Sequence, residues 1–132
     1  MLTITPLPAF SDNYIWLFHQ TGSHDAFVVD PGDAQAVESM LQDKNLTLTG
    51  ILLTHHHYDH TGGVAELTKN RNIPVYGPAN TLIHGITHLL NDSDTITIAG
   101  SQFRVIITPG HTLDHITYFT ENGENGIPTL FS

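Results

Sequence analysis

The chemistry of this sequence is concentrated in one run, His55-His56-His57-Tyr58-Asp59-His60, which sets four imidazoles and a carboxylate side by side. Neutral imidazole and carboxylate are the donor types that suit Zn(II), Mn(II) or Fe(II). On an extended segment, residues two apart point the same way, so His55 and His57 can converge on one ion. Asp59 and His60 enter the following turn and can address a second point nearby. Gly62 and Gly63 then permit close backbone packing beneath the site. A merely solvated polar loop is the plainer reading, but this run sits between an apolar strand and a Gly-Gly helix start, which favours metal ligation.

A second cluster, Thr108-Pro109-Gly110-His111-Thr112-Leu113-Asp114-His115, also follows an apolar stretch, Val105–Ile107. Pro-Gly makes a sharp turn that could aim His111 back at the first cluster. His115 has two readings: a partner that orients a ligand or holds the loop from behind, or a structural, hydrogen-bonded histidine. Asp114 is read as an exposed turn carboxylate, with acceptor to a ligand as the alternative.

These clusters need elements to position them. Leu2–Thr5 and Tyr14–His19 read as strands around the turn-rich Pro8–Asn13, and Thr21-Gly22-Ser23 turns the chain into a strand over Ala26–Val29. Asp33 is placed to cap a helix over Ala34–Lys44, with Ala36, Val37, Met40 and Leu41 on one stripe. Gly50–Thr54 is an apolar strand leading straight into the histidines, followed by a helix over Gly62–Asn70 and a third-layer strand over Ile73–Tyr76. Gly85 weakens any helix in the ambiguous stretch Thr81–Leu90. Asp94–Ile98 and Gln102–Thr108 form a hairpin turning at Ala99-Gly100-Ser101, and Ile116–Thr120 and Thr129–Phe131 are further strands. Strands, then βα units, then strands again predict an α/β sandwich.

Composition sets the outer limits. The 132 residues fit one domain, and 39% hydrophobic content is enough for a packed core. Four Lys+Arg stand against 13 Asp+Glu, a net charge of −9, which argues against a nucleic-acid or anionic-membrane binder. With no cysteine, any metal is held by nitrogen and oxygen, and neither a disulfide nor a thiol nucleophile is possible. No run approaches the roughly 18 apolar residues of a membrane-spanning helix, and Met1–Pro6 lacks the features of a secretory signal. The expectation is a cytoplasmic protein.

His55-x-His57-x-Asp59-His60 with Gly62-Gly63, and then Gly110-His111-Thr112, resembles the metallo-β-lactamase superfamily. The segments Asp12-Asn13-Tyr14-Ile15-Trp16, Val29-Asp30-Pro31-Gly32-Asp33 and Val75-Tyr76-Gly77-Pro78, with the Thr-His-His-His form of the motif, narrow the resemblance to glyoxalase II, the hydroxyacylglutathione hydrolases. It runs from Leu7 to Ser132. It implies the α/β fold of that superfamily, an αββα sandwich, here its N-terminal portion. It also implies that His55, His57 and His111 hold one cation and Asp59 and His60 a second. Zn(II) is the expected metal, two ions per site in the family's full enzyme, with Fe or Mn as alternatives. Asp30 would sit beneath the His loop, with His115 as a further support.

The implied reaction takes S-(2-hydroxyacyl)glutathione, typified by S-D-lactoylglutathione, and water to glutathione and a 2-hydroxy acid, as in methylglyoxal detoxification. The nucleophile would be water activated by the cations, so no side chain is needed for attack. The family's next motif is a Gly-Asp pair after Leu-Phe-Ser, its Asp bridging both metals. Ser132 falls where that pair would begin, so the resemblance covers one domain up to the second half-site. The alternatives are another enzyme of the superfamily, such as a persulfide dioxygenase or a lactonase, and an inactive metal-binding fragment. Asp114 departs from the family's usual Gly; Asp tolerates a left-handed backbone, so a local adjustment is expected.

The remaining candidates are weaker. His84 and His88, four apart, would share a helical face as surface residues. His19 and His24 flank a turn and read as solvated. Tyr14 and Trp16 read as strand packing, and Ser11 and Ser101 have no positioned base.

Overall fold

The computed structural model describes residues 2–9, 13–54, 63–78, 85–107 and 116–131. Its elements are β1 (Leu2–Ala9), β2 (Asn13–Gln20), β3 (Asp25–Val29), α1 (Ala34–Asp43), β4 (Thr47–Leu52), α2 (Val64–Thr68), β5 (Val75–Pro78), β6 (His88–Leu90), β7 (Thr95–Ile98), β8 (Ser101–Ile107), β9 (Ile116–Thr120) and β10 (Thr129–Phe131). Strands β1 to β6 form one sheet in sequence order, and a second sheet runs β10-β9-β8-β7. In the first sheet β1–β2 and β2–β3 are antiparallel, while β3–β4, β4–β5 and β5–β6 are parallel.

Residue alternation explains the layering. Ile15 and Leu17 of β2, Ala26 and Val28 of β3, and Ile51 of β4 point to one side, where they pack with Val37 and Leu41 of α1 and Val64 and Leu67 of α2. Phe18, Phe27, Val29 and Leu52 point to the other side, onto Phe103, Val105, Ile116, Tyr118 and Phe131 of the second sheet. Strands buried on both faces read as near-continuous apolar runs, as in Ala26–Val29. The layers are therefore helices, sheet, sheet. Among the described residues no helix packs on the outer face of the second sheet.

Several local expectations shift for physical reasons. Strand β1 runs through both prolines to Ala9 because it is an edge strand. Ile4, of the same parity as Pro6 and Pro8, donates its N–H outward to Glu124 Oε2 at 2.9 Å, so the prolines lose only edge donors. The turn expected over Pro8–Asn13 shrinks accordingly. Strand β4 starts at Thr47 because Asp25 and Ala26 pair with Thr47 and Leu48. Val75–Pro78 joins the first sheet beside β4, through Ile51–Val75 and Leu52–Tyr76, so it is not a third layer. Helix α2 is shorter than Gly62–Asn70, since Gly63 brings no capping side chain. Asp33 does cap α1, its Oδ1 accepting from Gln35 N and Ala36 N at 3.0 and 3.3 Å, worth about 1 kcal/mol. The β7–β8 hairpin turns on Ala99 and Gly100, both at positive φ, 54° and 76°, the signature of a two-residue hairpin turn.

Gly63 joins the two helical connections. Its N–H donates to the Pro31 carbonyl at 2.8 Å. A Cβ there would collide with that carbonyl oxygen and lie 2.8 Å from Ala34 N. Both obstacles are backbone. Gly63→Ala should therefore lower unfolding free energy by about 1–3 kcal/mol, read from urea denaturation; an unchanged midpoint would show that the two connections are free to separate.

Candidate metal centre

The parallel strands β3 and β4 end on the same edge of the first sheet, the edge where such sheets build sites. Directly after β3, Asp30 takes a left-handed backbone, φ 53°, which Asp tolerates better than most residues. Its N–H still donates to Leu52 O at 2.9 Å. The turn swings its carboxylate sideways onto the end of β4. There Oδ1 accepts the Thr54 N–H at 2.8 Å and Oδ2 accepts the Thr54 hydroxyl at 2.5 Å. Both residues are buried. Hydrogen bonds to an ionised acceptor are the strong kind. They divert Thr54 from the ladder, so the strand stops at Leu52 rather than at Thr54.

Thr54 is the residue before His55. Its carbonyl accepts from Ile116 N at 2.8 Å, and Ile116 is the residue after His115. The start of the first histidine segment and the end of the second are thus one hydrogen bond apart. The first segment also returns to where it left: Gly63 binds Pro31, next to Asp30. The second segment connects β8 to β9, which pair through Ile107 and Ile116. Two residues further along β9, the Tyr118 hydroxyl donates to Leu53 O at 2.7 Å.

Asp30 is the one proposed site residue that the structure describes, and its carboxylate bonds to Thr54, the residue before His55. His55, His57, Asp59, His60, His111 and His115 lie outside the described residues, as do Gly62, Asp114, Ser11 and His84. Among the described residues no three His, Asp or Glu side chains group to hold a metal. His88 is not helical. It lies in β6 with its ring 4.9 Å from that of Tyr76 and Nδ1 2.7 Å from Thr87 Oγ1. His19 and His24 place Nδ1 at 3.0 Å from the carbonyls of Gln20 and Asn45, so they are bonded as well as wet. Tyr14 and Trp16 stack on each other at 6.0 Å but stay substantially exposed, which corrects the expectation of strand packing. Ser101 is buried, and its hydroxyl donates to Asn122 O at 3.0 Å, a structural role.

Thr54 and Tyr118 were missed as supporting residues. The signal for Tyr118 was present: alternation along β9 turns it inward with Ile116, and a buried phenol needs an acceptor. Burial pushes the Tyr118 hydroxyl well above its ordinary pKa of 10.0, and the negative charge of Asp30 pushes the same way. The hydroxyl stays a neutral donor at physiological pH. Because the folded pKa is raised, its contribution is complete below about pH 10 and is lost as pH climbs from there towards the folded value. Thermal midpoints should therefore fall more steeply above pH 10 in the parent chain than in Tyr118→Phe; parallel curves would contradict the burial of an un-ionised phenol.

The donor set and the geometry suit a divalent metal: imidazoles and carboxylates on two segments, whose roots are tied together at the carboxyl edge of a parallel sheet. Comparison with known proteins agrees. Residues 10–125 match the profile of the Metallo-beta-lactamase superfamily. The chain is 52% identical to a hydroxyacylglutathione hydrolase of Pseudoalteromonas translucida, over all of this chain and 52% of that protein. It is 53% identical to one of Marinomonas sp., over 91% of this chain and 46% of that protein. The chain thus spans about half the length of these curated relatives. Among solved structures it resembles the BLEG-1 B3 metallo-beta-lactamase, at 28% identity and TM-score 0.74 over 92% of this chain and 68% of that one. It also resembles ETHE1 from Myxococcus xanthus, at 27% identity and TM-score 0.76 over 91% of this chain and 54% of that one. The chain belongs to the metallo-beta-lactamase superfamily, and its described layers form the N-terminal portion of that fold.

Proposed function

We propose that this chain carries the metal-binding half of a glyoxalase II, which hydrolyses S-(2-hydroxyacyl)glutathione thiolesters such as S-D-lactoylglutathione. The observation that carries the reading is the Ile116 N–H to Thr54 carbonyl bond at 2.8 Å, because it joins the residue before His55 to the residue after His115. The whole-chain likeness to hydroxyacylglutathione hydrolases supports the substrate class. In this reading His55, His57 and His111 hold one Zn(II), and Asp59 and His60 hold part of a second site. Asp30 fixes the residue ahead of His55, and His115 supports the second segment. When bound, the cations would supply Lewis acidity, which lowers the pKa of a water towards neutrality and polarises the thiolester carbonyl.

The chain's own residues position rather than attack. Asp30 holds Thr54, the residue before His55, at the sheet edge. The glutathione thiolate is a good leaving group, so no strong general acid is required of the protein. No cysteine is available as nucleophile, and Ser101 is committed to Asn122.

Calorimetric titration of the 132-residue chain with Zn(II) should show one tight event and one weak one, and His55→Ala should remove the tight event. Since the curated relatives are about twice as long, hydrolysis is measured on this chain and on the chain joined to the second half of the Pseudoalteromonas protein. The joined protein should turn over S-D-lactoylglutathione and lose the activity with His55→Ala or chelation, while the 132-residue chain alone should be poor or inactive. Absence of any metal uptake would overturn the reading. Two equally tight sites would overturn the assignment of Asp59 and His60 to a partial site.

A further inference from the structure

We propose that Tyr118 is a positioning residue for this metal centre: its hydroxyl fixes the Leu53 carbonyl, and with it the spacing between Thr54 and Ile116, the residues that precede His55 and follow His115. The inference rests on the metal site proposed above. Ile116 and Tyr118 lie two apart on β9 and face the same way, into the core between the sheets. They bind consecutive carbonyls of the other sheet, Ile116 N to Thr54 O at 2.8 Å and Tyr118 Oη to Leu53 O at 2.7 Å. The Tyr76 carbonyl lies 3.4 Å from the same hydroxyl, but it already accepts the Leu53 N–H at 2.8 Å. Leu53 is therefore the principal acceptor.

The two bonds differ in what they can fix. A single backbone bond at Thr54–Ile116 is a pivot. A second bond, one residue earlier in the chain just past β4 and two residues later on β9, turns the pivot into a clamp with a set angle. Phenylalanine would fill the same apolar space without placing a hydroxyl in the core, where an unbonded polar group is costly. The hydroxyl is therefore the informative atom. Asp30 acts on the same junction from the opposite side, holding Thr54 through its N–H and Oγ1. Between them, the residue preceding His55 is fixed from β3 and from β9.

The test is Co(II) binding to the 132-residue chain, followed by affinity and by the visible absorption of the bound ion, which reports ligand geometry. Tyr118→Phe should weaken Co(II) binding about tenfold or more, the usual loss when a supporting partner is removed, and should shift the spectrum. Phe103→Leu, a change in the same core, serves as a control for lost stability and should leave both readouts unchanged. Tyr118→4-aminophenylalanine keeps a donor at the ring and should restore both. Unchanged affinity and spectrum in Tyr118→Phe, or equal weakening in Phe103→Leu, would overturn the proposal while leaving the metal site standing. No Co(II) uptake by the parent chain would overturn the metal site and this inference together. Should Tyr118→Phe not fold, the aminophenylalanine chain decides alone, because a weakened and shifted site despite a retained donor contradicts positioning by the hydroxyl.

Discussion

Burying a carboxylate is expensive unless its oxygens are occupied, and the structure spends that cost at Asp30, the turn between β3 and α1. Its two oxygens take the N–H and the hydroxyl of one residue, Thr54. Removing the Thr54 hydroxyl would take one of these bonds from the buried carboxylate, and removing Asp30 would take both from Thr54. The end of β4, the departure of the His55 segment and the seat of Ile116 all follow from where Thr54 is held. The adjoining Pro31 carbonyl receives the same segment back through Gly63. One turn thus fixes both ends of the stretch that carries most of the candidate ligands.

A clamp of this kind is only as firm as the sheets behind it. Phe18 stacks on Phe27 and Phe131 at centroid distances of 5.6 and 5.3 Å, and Phe103 lies 5.6 Å from Phe18. These rings join the sheets by shape and apolar area, which carry little directional information. Direction comes from the polar bonds at the sheet edge. Apolar packing brings the sheets together, and hydrogen bonds at Thr54 and Leu53 set how their ends meet. Thr54 and Ile116, which flank the two histidine segments in the sequence, lie at that meeting.

How much of this was legible beforehand depended on the range of the signal. Periodicity and turn residues are local, and they yielded α1 with its Asp33 cap, the β7–β8 hairpin and the strands β3, β9 and β10. They failed where a distant partner decides. Thr47 is polar and looked like a loop until Asp25 paired with it. Thr54 looked like the last residue of a strand until Asp30, 24 positions earlier, claimed its N–H. His88 looked helical beside His84, but it is a strand residue because β6 pairs with β5 through Tyr76. The chemistry of the site was legible as residue types at a spacing. The inward turn of Tyr118 was legible from alternation along β9, but not that its hydroxyl would meet the Leu53 carbonyl.

Charge gives the arrangement its last constraint. The chain carries 13 acidic residues and only 4 Lys+Arg, so its general field repels anions. Arg71, one of the four, is paired with Glu38 at 2.6 Å, on the helix side of the first sheet. A cation held by the segment after Thr54 would reverse the field locally, since bound ions are often the largest charges in a site. The same acidic surroundings that disfavour a free anion favour a divalent cation.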